Sequence, residues 1–126
     1  MMIGDGAGCR ILVVEDETFI AMLIEDVLKA IGCEVIGPTG KLETALQLAS
    51  DGALDAAILD VSIRGGKIYP VADHLLAHDI PFILSSGYND RALPENLRNK
   101  PRLIKPFTTA QLEEKIMYLC GEIAKR

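Results

Sequence analysis

The sequence predicts an α/β fold, a doubly wound parallel sheet with helices on both faces. The first observation is alternation, because short apolar runs of strand length alternate with longer segments whose apolar residues recur at helical spacing. The second observation is that three of the apolar runs end abruptly in charged residues, which are Glu15-Asp16, Asp60 and Lys105. Continuous apolar runs are typical of parallel strands buried on both faces, and such sheets bind ligands at the carboxyl ends of their strands.

Five strands and five helices are predicted in alternation. The strands cover residues 10–14, 34–37, 55–61, 82–84 and 102–105. The helices cover residues 18–31, about 42–52, 70–78, about 90–97, and the region after residue 108. Gly32 is a natural stop for the first helix, and Pro94 interrupts the weak fourth one. Thr108 and Gln111 have the spacing of a capping box, and residues 62–69 are predicted to form a loop.

Composition suits one domain. The chain has 126 residues, of which 49% are hydrophobic and 25% charged, so we expect a domain over residues 10–126 behind a mobile leader, residues 1–9. The net charge of −5 argues against a nucleic-acid surface, and no apolar run has the length of a membrane span. Three cysteines without a CxxC pair favour a reducing compartment, so we expect a cytoplasmic protein.

The charged strand ends are expected to converge at one edge of the sheet. Five strands suit the flavodoxin-like order 2-1-3-4-5, in which the first and third strands are neighbours, so Glu15 and Asp16 would lie beside Asp60. Clustered carboxylates repel one another, and a hard divalent cation relieves that repulsion. We therefore predict a Mg²⁺ site with Asp16 and Asp60 as ligands, Glu15 bonded through a water, and the backbone carbonyl of Ser62 as a further ligand.

Two further groups at this edge suit the handling of a phosphoryl group. Lys105 supplies a cation opposite the metal, and Ser85-Ser86-Gly87 offers a hydroxyl and backbone donors to an anion. A metal ion, a lysine and a hydroxyl around one carboxylate stabilise the charge that develops during phosphoryl transfer. The remaining carboxylate oxygen of Asp60 is then a nucleophile that would form an aspartyl phosphate.

Four short motifs in this order resemble the response-regulator receiver domains of bacterial two-component signalling. They are Leu12-Val13-Val14-Glu15-Asp16, Ala57-Ile58-Leu59-Asp60, the segment PFILSSGY at residues 81–88, and Lys105-Pro106-Phe107, within a resemblance that covers about residues 10–125. The resemblance implies that Asp60 is the phosphoryl acceptor and that Glu15 and Asp16 are the magnesium acids. It further implies that Ser86, with Ser85 as the alternative, is the switch hydroxyl, and that Lys105 pairs with the phosphate through a cis Lys105–Pro106 turn.

The chain departs from the receiver pattern at two positions. Arg64 stands where a proline usually follows the acceptor by four residues, and Arg102 stands where an aromatic switch residue usually precedes the lysine by three. Together with the Pro-Phe…Ser-Gly-Tyr pattern, these departures resemble a subgroup called the FAT GUY response regulators, which are often single-domain. In this chain Leu84-Ser85-Ser86 replaces the Phe-Ala-Thr of that motif.

The resemblance also implies partners. A sensor histidine kinase or a phosphotransfer protein would supply the phosphoryl group, and an unknown downstream protein would contact residues 88–100, the fifth strand and the last helix. We expect residues 88–100 to be mobile without phosphate, because few of them are apolar. No output domain follows the last helix in the sequence, so a stand-alone regulator, a phosphate sink and a receiver from a hybrid kinase stay open as alternatives.

Other interpretations of the same residues are weaker. Phosphatases and phosphotransferases with an aspartyl nucleophile usually have a second acid two residues later, where this chain has Ser62, so turnover of an external substrate is not expected. A receiver-like module that is never phosphorylated would not need the complete acidic set. His74 and His78 have no third metal ligand in view, and Gly65-Gly66-Lys67 lacks the rest of a P-loop.

Overall fold

The central sheet of the computed structural model has five parallel strands. The structure describes residues 8–87 and 93–125, so residues 1–7 of the predicted leader lie outside the described part of the chain. The strands of the sheet are β1 (Arg10–Val14), β2 (Glu34–Thr39), β3 (Ala56–Asp60), β6 (Phe82–Ser86) and β7 (Arg102–Ile104). Their order is β2-β1-β3-β6-β7, which confirms the predicted 2-1-3-4-5 order once the two short strands β4 (Ser62–Ile63) and β5 (Gly66–Lys67) are left out of the count.

Helices cover both faces of the sheet. They are α1 (Thr18–Ile31), α2 (Leu42–Asp51), α3 (Tyr69–Ala77) and α4 (Thr109–Ala124). None of the helices in the two described stretches is both long enough and apolar enough to cross a membrane.

Side-chain alternation along the strands builds two separate cores. In β3, Ala57 and Leu59 pack into a core shared with α2 and α3, whereas Ala56 and Ile58 pack into a core shared with α1 and α4. Every residue of β3 is buried, including Asp60 at its end. The strand is therefore covered on both faces, as its continuous apolar run predicted, and the carboxylate marks the point where the sheet reaches its edge.

Local signals in the sequence set the helix ends. Gly32 has a φ of 102° and its N–H donates to the carbonyls of Leu28 and Lys29, which ends α1 where glycine tolerates the left-handed conformation. Before α4, the Gln111 N–H donates to Thr108 Oγ1 at 3.0 Å and the Thr108 N–H donates to Gln111 Oε1 at 2.8 Å. The predicted capping box is therefore confirmed.

Residues 62–69 are not the plain loop that the sequence predicted. β4 and β5 form an antiparallel hairpin there, with Ser62 opposite Lys67 and Ile63 opposite Gly66. Gly65 and Gly66 have φ values of 99° and 135°, which their lack of a side chain permits. The prediction was wrong because strands of two residues are too short to show a periodic pattern.

The segment before β7 also differs from the prediction. Within residues 93–100 the structure has a single 3₁₀ turn, Glu95–Leu97, in place of the weak fourth helix. Leu93 and Leu97 are buried in the core beside α2 and α3, so this part has apolar anchors. Residues 88–92 lie outside the described residues, and the mobility of residues 88–100 stays a prediction.

Candidate functional site at the carboxyl end of the sheet

Glu15, Asp16 and Asp60 meet at the carboxyl end of the sheet. β1 and β3 pair in parallel with Val14 opposite Leu59, so the residues that follow Val14 lie beside the end of β3. One carboxylate oxygen from each of the three acids lies within 4.8 Å of the others. Glu15 and Asp60 are buried, and Asp16 is half-buried. The structure thus brings together the three acids that the sequence analysis singled out.

Lys105 reaches into this cluster from the end of β7. Its Nζ donates to Glu15 Oε2 and to Asp60 Oδ2, both at 3.0 Å, and it lies 3.6 Å from Glu17 Oε1. The Lys105 backbone N–H donates to the Ser86 carbonyl at 2.8 Å, and the following peptide bond to Pro106 is cis, as the resemblance implied. Lys105 therefore bridges two carboxylates that come from two different strands.

Glu15 has one oxygen without a partner. Its Oε2 accepts hydrogen bonds from Lys105 Nζ and, at 3.1 Å, from the Glu17 backbone N–H. Its Oε1 is buried and has no hydrogen-bond partner among residues 8–87 and 93–125. A buried carboxylate oxygen without a donor costs free energy, so this atom is suited to a ligand that carries positive charge.

The pKa values of Asp60 and Lys105 indicate that this edge carries more negative than positive charge. Burial, and then the neighbouring Glu15 carboxylate, raises the pKa of Asp60 from 3.8 to about 7, which Lys105 offsets only in part. For Lys105, burial by itself lowers the pKa, but hydrogen bonds to Asp60 and Glu15 outweigh it and the net shift is upward. One lysine thus does not neutralise the buried carboxylates.

The donor set fits a hard divalent cation. Carboxylate oxygens are the ligands that Mg²⁺ prefers, and both the unpartnered Glu15 Oε1 and the raised pKa of Asp60 indicate a need for added positive charge. The Ser62 N–H donates to Asp60 Oδ1 at 3.4 Å, so the Ser62 backbone lies beside the acids. That the Ser62 carbonyl is itself a ligand stays a prediction.

Two buried serines end β6. The hydroxyls of Ser85 and Ser86 both lack a hydrogen-bond partner in the described part of the chain. In the strand register Ser85 lies opposite Asp60, whereas Ser86 lies opposite Ile104. Both serines therefore reach the edge of the sheet that carries Asp60 and Lys105. The choice of Ser86 over Ser85 comes from the motif, and it stays a prediction.

Among curated proteins, this chain is similar in sequence to bacterial regulatory proteins. "Transcriptional regulatory protein PdtaR" from Mycobacterium tuberculosis is 29% identical over 107 residues, which are 82% of this chain and 52% of PdtaR. The chain therefore spans about half the length of this relative. A scan against protein-family models finds no match.

Comparison with solved structures finds receivers. One match is the receiver domain of the sensor histidine kinase PA1611 from Pseudomonas aeruginosa, which was solved with a magnesium ion in its active-site cleft. It has a TM-score of 0.74 and 23% identity, over 91% of this chain and 99% of that chain, which shows the shared fold. SdrG from Sphingomonas melonis Fr1 has a TM-score of 0.78 and 42% identity, over 89% of this chain and 96% of the SdrG chain. The chain belongs to the response-regulator receiver family.

Two acids of this receiver, Glu15 and Asp16, open onto a cleft of about 270 Å³. Its walls come from the residues that follow β1, the first part of α1, the end of β2 with the next residue, and the β4–β5 hairpin. The cleft is lined by, among others, Glu15, Asp16, Thr18, Gly40 and Arg64. A small ligand or ion can therefore reach Glu15 and Asp16 from solvent.

Sequence reasoning missed two charged neighbours of the receiver's acids. Glu17 comes close to Lys105, and the acidic run that begins at Glu15 was the only signal for it. Arg64 was noted only as a departure from the family pattern, yet it lines the cleft. Its position depends on the hairpin, which the sequence did not predict. Arg102, the second departure, is half-buried in β7 opposite Leu84.

Proposed function

We propose that this receiver accepts a phosphoryl group on Asp60 from a sensor histidine kinase or a phosphotransfer protein in the cytoplasm. The observation that supports this most strongly is the surroundings of one buried carboxylate. Asp60 ends a strand that is covered on both faces, its Oδ2 is 3.0 Å from Lys105 Nζ, and two further acids lie within reach of one cation. Reactive carboxylates are expected in surroundings of this kind, with a raised pKa and a specific charged partner.

The reaction would be a nucleophilic displacement at phosphorus. A carboxylate oxygen of Asp60 attacks the phosphorus atom, an oxygen–phosphorus bond forms, and the bond from phosphorus to the donor breaks with its electron pair leaving on the donor. We assign the binding of Mg²⁺ to Glu15, Asp16, Asp60 and the backbone carbonyl of Ser62. When bound, Mg²⁺ supplies positive charge that reduces the repulsion among the ionised carboxylates and between them and the phosphoryl oxygens.

Lys105 and Ser86 would respond to the new group. Lys105 Nζ already lies between Glu15 and Asp60, so it can donate to a phosphoryl oxygen on Asp60 with little movement. The Ser86 hydroxyl is buried without a partner among the described residues, so a phosphoryl oxygen would provide an acceptor that it lacks. Such differential contacts favour one of two conformations that pre-exist in the protein.

We further propose that the signal leaves by protein contact. The surface that would change is formed by residues 88–100, β7 and α4, which follow Ser86 in the chain or pack beside it. Lys105 connects this surface to the site because its backbone N–H is bonded to the Ser86 carbonyl and its Nζ to Asp60. The downstream partner in this proposal is a protein, and neither nucleic acid nor membrane takes part.

Turnover of an external phosphate ester is not part of the proposal. An aspartyl phosphatase needs a general acid near its nucleophile, and the residue two positions after Asp60 is Ser62, whose Oγ accepts a hydrogen bond from Lys67 Nζ at 2.7 Å. Steady magnesium-dependent release of phosphate from an excess of a phosphate monoester would contradict this part of the proposal.

The central test is a phosphorylation experiment with two matched variants. The protein is incubated with Mg²⁺ and acetyl phosphate, and its intact mass is measured. We expect one added phosphoryl group in the natural protein and in Asp51→Asn, which removes an exposed carboxylate at the end of α2. No addition is expected in Asp60→Asn or with a chelator present. Labelling that persists in Asp60→Asn would overturn the assignment of the acceptor.

A further inference from the structure

Arg64 is a second cation beside the acidic cluster, in addition to Lys105. It lies in the two-residue turn between β4 and β5 and lines the cleft into which Glu15 and Asp16 open. Its side chain is exposed and makes no ion pair with any residue in the described ranges. The guanidinium therefore stands near the acids without being neutralised by one of them.

The backbone holds Arg64 in this place. Its N–H donates to the Gly40 carbonyl at 3.1 Å, and its own carbonyl accepts from the Leu42 N–H at 2.9 Å. These two hydrogen bonds connect the hairpin to Gly40 before α2 and to Leu42, the first residue of α2. Because they use backbone atoms only, they do not depend on which side chain residue 64 carries.

Gly40 makes the close approach of Arg64 to Asp16 possible. A Cβ atom built on Gly40 would lie 2.7 Å from Asp16 Cβ and 2.9 Å from Arg64 Nη2, so less than one methyl group fits between the three residues. Gly40 is buried and follows β2 directly. The guanidinium thus shares one small space with the half-buried acid that we assign to cation binding.

We propose that Arg64 lowers the affinity of the acidic site for a divalent cation and so sets the Mg²⁺ concentration at which this receiver becomes competent. This inference rests on the proposed function and adds a regulator of the same site. A divalent cation among Glu15, Asp16 and Asp60 would be repelled by the guanidinium. In the metal-free protein the same guanidinium reduces the repulsion among the carboxylates, which favours the empty site.

The effect is expected to be moderate and sensitive to salt. Because Arg64 is exposed, solvent screens its charge, and we expect Arg64→Gln to lower the Mg²⁺ dissociation constant about 2- to 10-fold at low ionic strength. The difference should shrink in 0.5 M salt, where the Debye length is only about 4 Å. Arg64→Lys keeps the charge and should restore the affinity of the natural protein.

The experiment is a Mg²⁺ titration followed by two-dimensional ¹H–¹⁵N NMR, at low and at high salt. The reporters are the amides of Glu17 and Ser62, which donate to the Glu15 and Asp60 carboxylates. Lys125→Gln is the matched control, since it removes one positive charge at the far end of α4, where Lys125 Nζ pairs with Glu122. Its affinity should equal that of the natural protein. The undisturbed part of each spectrum shows whether the variant is folded.

The possible outcomes separate this inference from the proposed function. Tighter binding in Arg64→Gln that weakens with salt, with Arg64→Lys restoring the natural value, supports the inference. Equal or weaker binding in a folded Arg64→Gln overturns it and leaves the proposed function standing. Should Arg64→Gln not fold, tighter binding than the natural protein in Arg64→Lys would also overturn it, because the charge is kept. No Mg²⁺ binding in the natural protein would overturn both.

Discussion

The two ends of the central sheet differ in how far their polar groups are satisfied by hydrogen bonds and ion pairs. At the amino end, Arg10 is held through both its backbone and its side chain, since its backbone N–H donates to Asp55 Oδ2 and its Nε to the Ala53 carbonyl, both at 2.8 Å. Its Nη1 pairs with Glu34 at 2.7 Å. These contacts join the starts of β1 and β2 to the residue before β3.

The amino end also contains two buried cysteines, Cys33 and Cys120. Burial, followed by the influence of Cys120 and Cys9, raises the pKa of Cys33 to about 12. A thiol with a raised pKa is largely protonated at neutral pH and is a poor nucleophile. This end of the sheet therefore serves packing and strand registration.

At the carboxyl end the polar groups are incompletely satisfied. All three buried side-chain atoms that lack a hydrogen-bond partner among the described residues lie there, namely Glu15 Oε1, Ser85 Oγ and Ser86 Oγ. The raised pKa of Asp60 belongs to the same edge. The comparison teaches that the two ends of one sheet can serve different purposes. Polar groups at the amino end stabilise the fold, whereas polar groups at the carboxyl end are left free to bind a ligand.

The largest expected effect comes from removing the one lysine of the acidic cluster. Lys105→Met leaves Glu15 and Asp60 buried without their cation, so the unfolding free energy without metal should fall by roughly 3 kcal/mol. Mg²⁺ should recover part of this loss because it replaces the missing charge. Chemical denaturation measures both values. Lys125→Met, which breaks an exposed pair with Glu122, should change stability by less than about 0.5 kcal/mol. A similar loss in the two variants would contradict the view that the carboxyl end is electrostatically special.

Asp60→Asn should have the next largest effect, with the opposite sign. The variant removes one crowded charge while Lys105 keeps its contact with Glu15, so the metal-free protein should become about 2 kcal/mol more stable at pH 8. Because the pKa of Asp60 is raised from 3.8 to about 7, the largest possible gain in unfolding free energy is roughly 4 kcal/mol.

The pH dependence of this gain follows from linkage. The folded protein holds a proton on Asp60 that the unfolded chain has already lost, so Asp60 makes the natural protein less stable as the pH rises from about 4 to about 7. The stability difference between Asp60→Asn and the natural protein should therefore grow across this window and level off above it. Denaturation curves of both proteins at several pH values check this. A difference that is constant from pH 4 to pH 8 would show that the pKa of Asp60 is not raised.

A smaller effect is expected at the amino end. Asp55→Ala removes the carboxylate that accepts from the Arg10 N–H, which should cost about 1.5 kcal/mol because the acceptor is charged. Phosphorylation by acetyl phosphate and Mg²⁺ affinity should stay unchanged once the protein is folded. Thermal unfolding and intact-mass measurements together test this separation. Loss of phosphorylation in a folded Asp55→Ala would show that the two ends of the sheet are coupled.

The smallest effects on stability are expected for the two serines. Ser85→Ala and Ser86→Ala each remove a hydroxyl that has no partner among the described residues, so stability should change by less than about 0.5 kcal/mol. Affinity for beryllofluoride, a phosphoryl mimic, should fall about 10-fold or more in Ser86→Ala only, because one hydrogen bond to a charged ligand is lost. The reverse pattern would assign the switch hydroxyl to Ser85, which the strand register places opposite Asp60.

The sequence by itself determined which residues stand at the strand ends. Apolar runs of strand length that stop at Glu15, Asp60 and Lys105 are a local property of the chain, and so are the capping box at Thr108 and the stop at Gly32. Alternation implies parallel strands, and the flavodoxin-like order that suits five such strands placed the acids beside one another, with Lys105 at the same end of the sheet. The elements and strand ends were predictable because side-chain period and strand ends depend on neighbours along the chain.

The tertiary structure alone decided what surrounds those ends. The place of Arg64 beside Gly40, the contact of Glu17 with Lys105, and the register that pairs Asp60 with Ser85 depend on residues far apart in sequence. The same holds for the pKa of Asp60, which burial and Glu15 raise. Such features follow from packing and electrostatics in three dimensions, for which a linear pattern carries no distances.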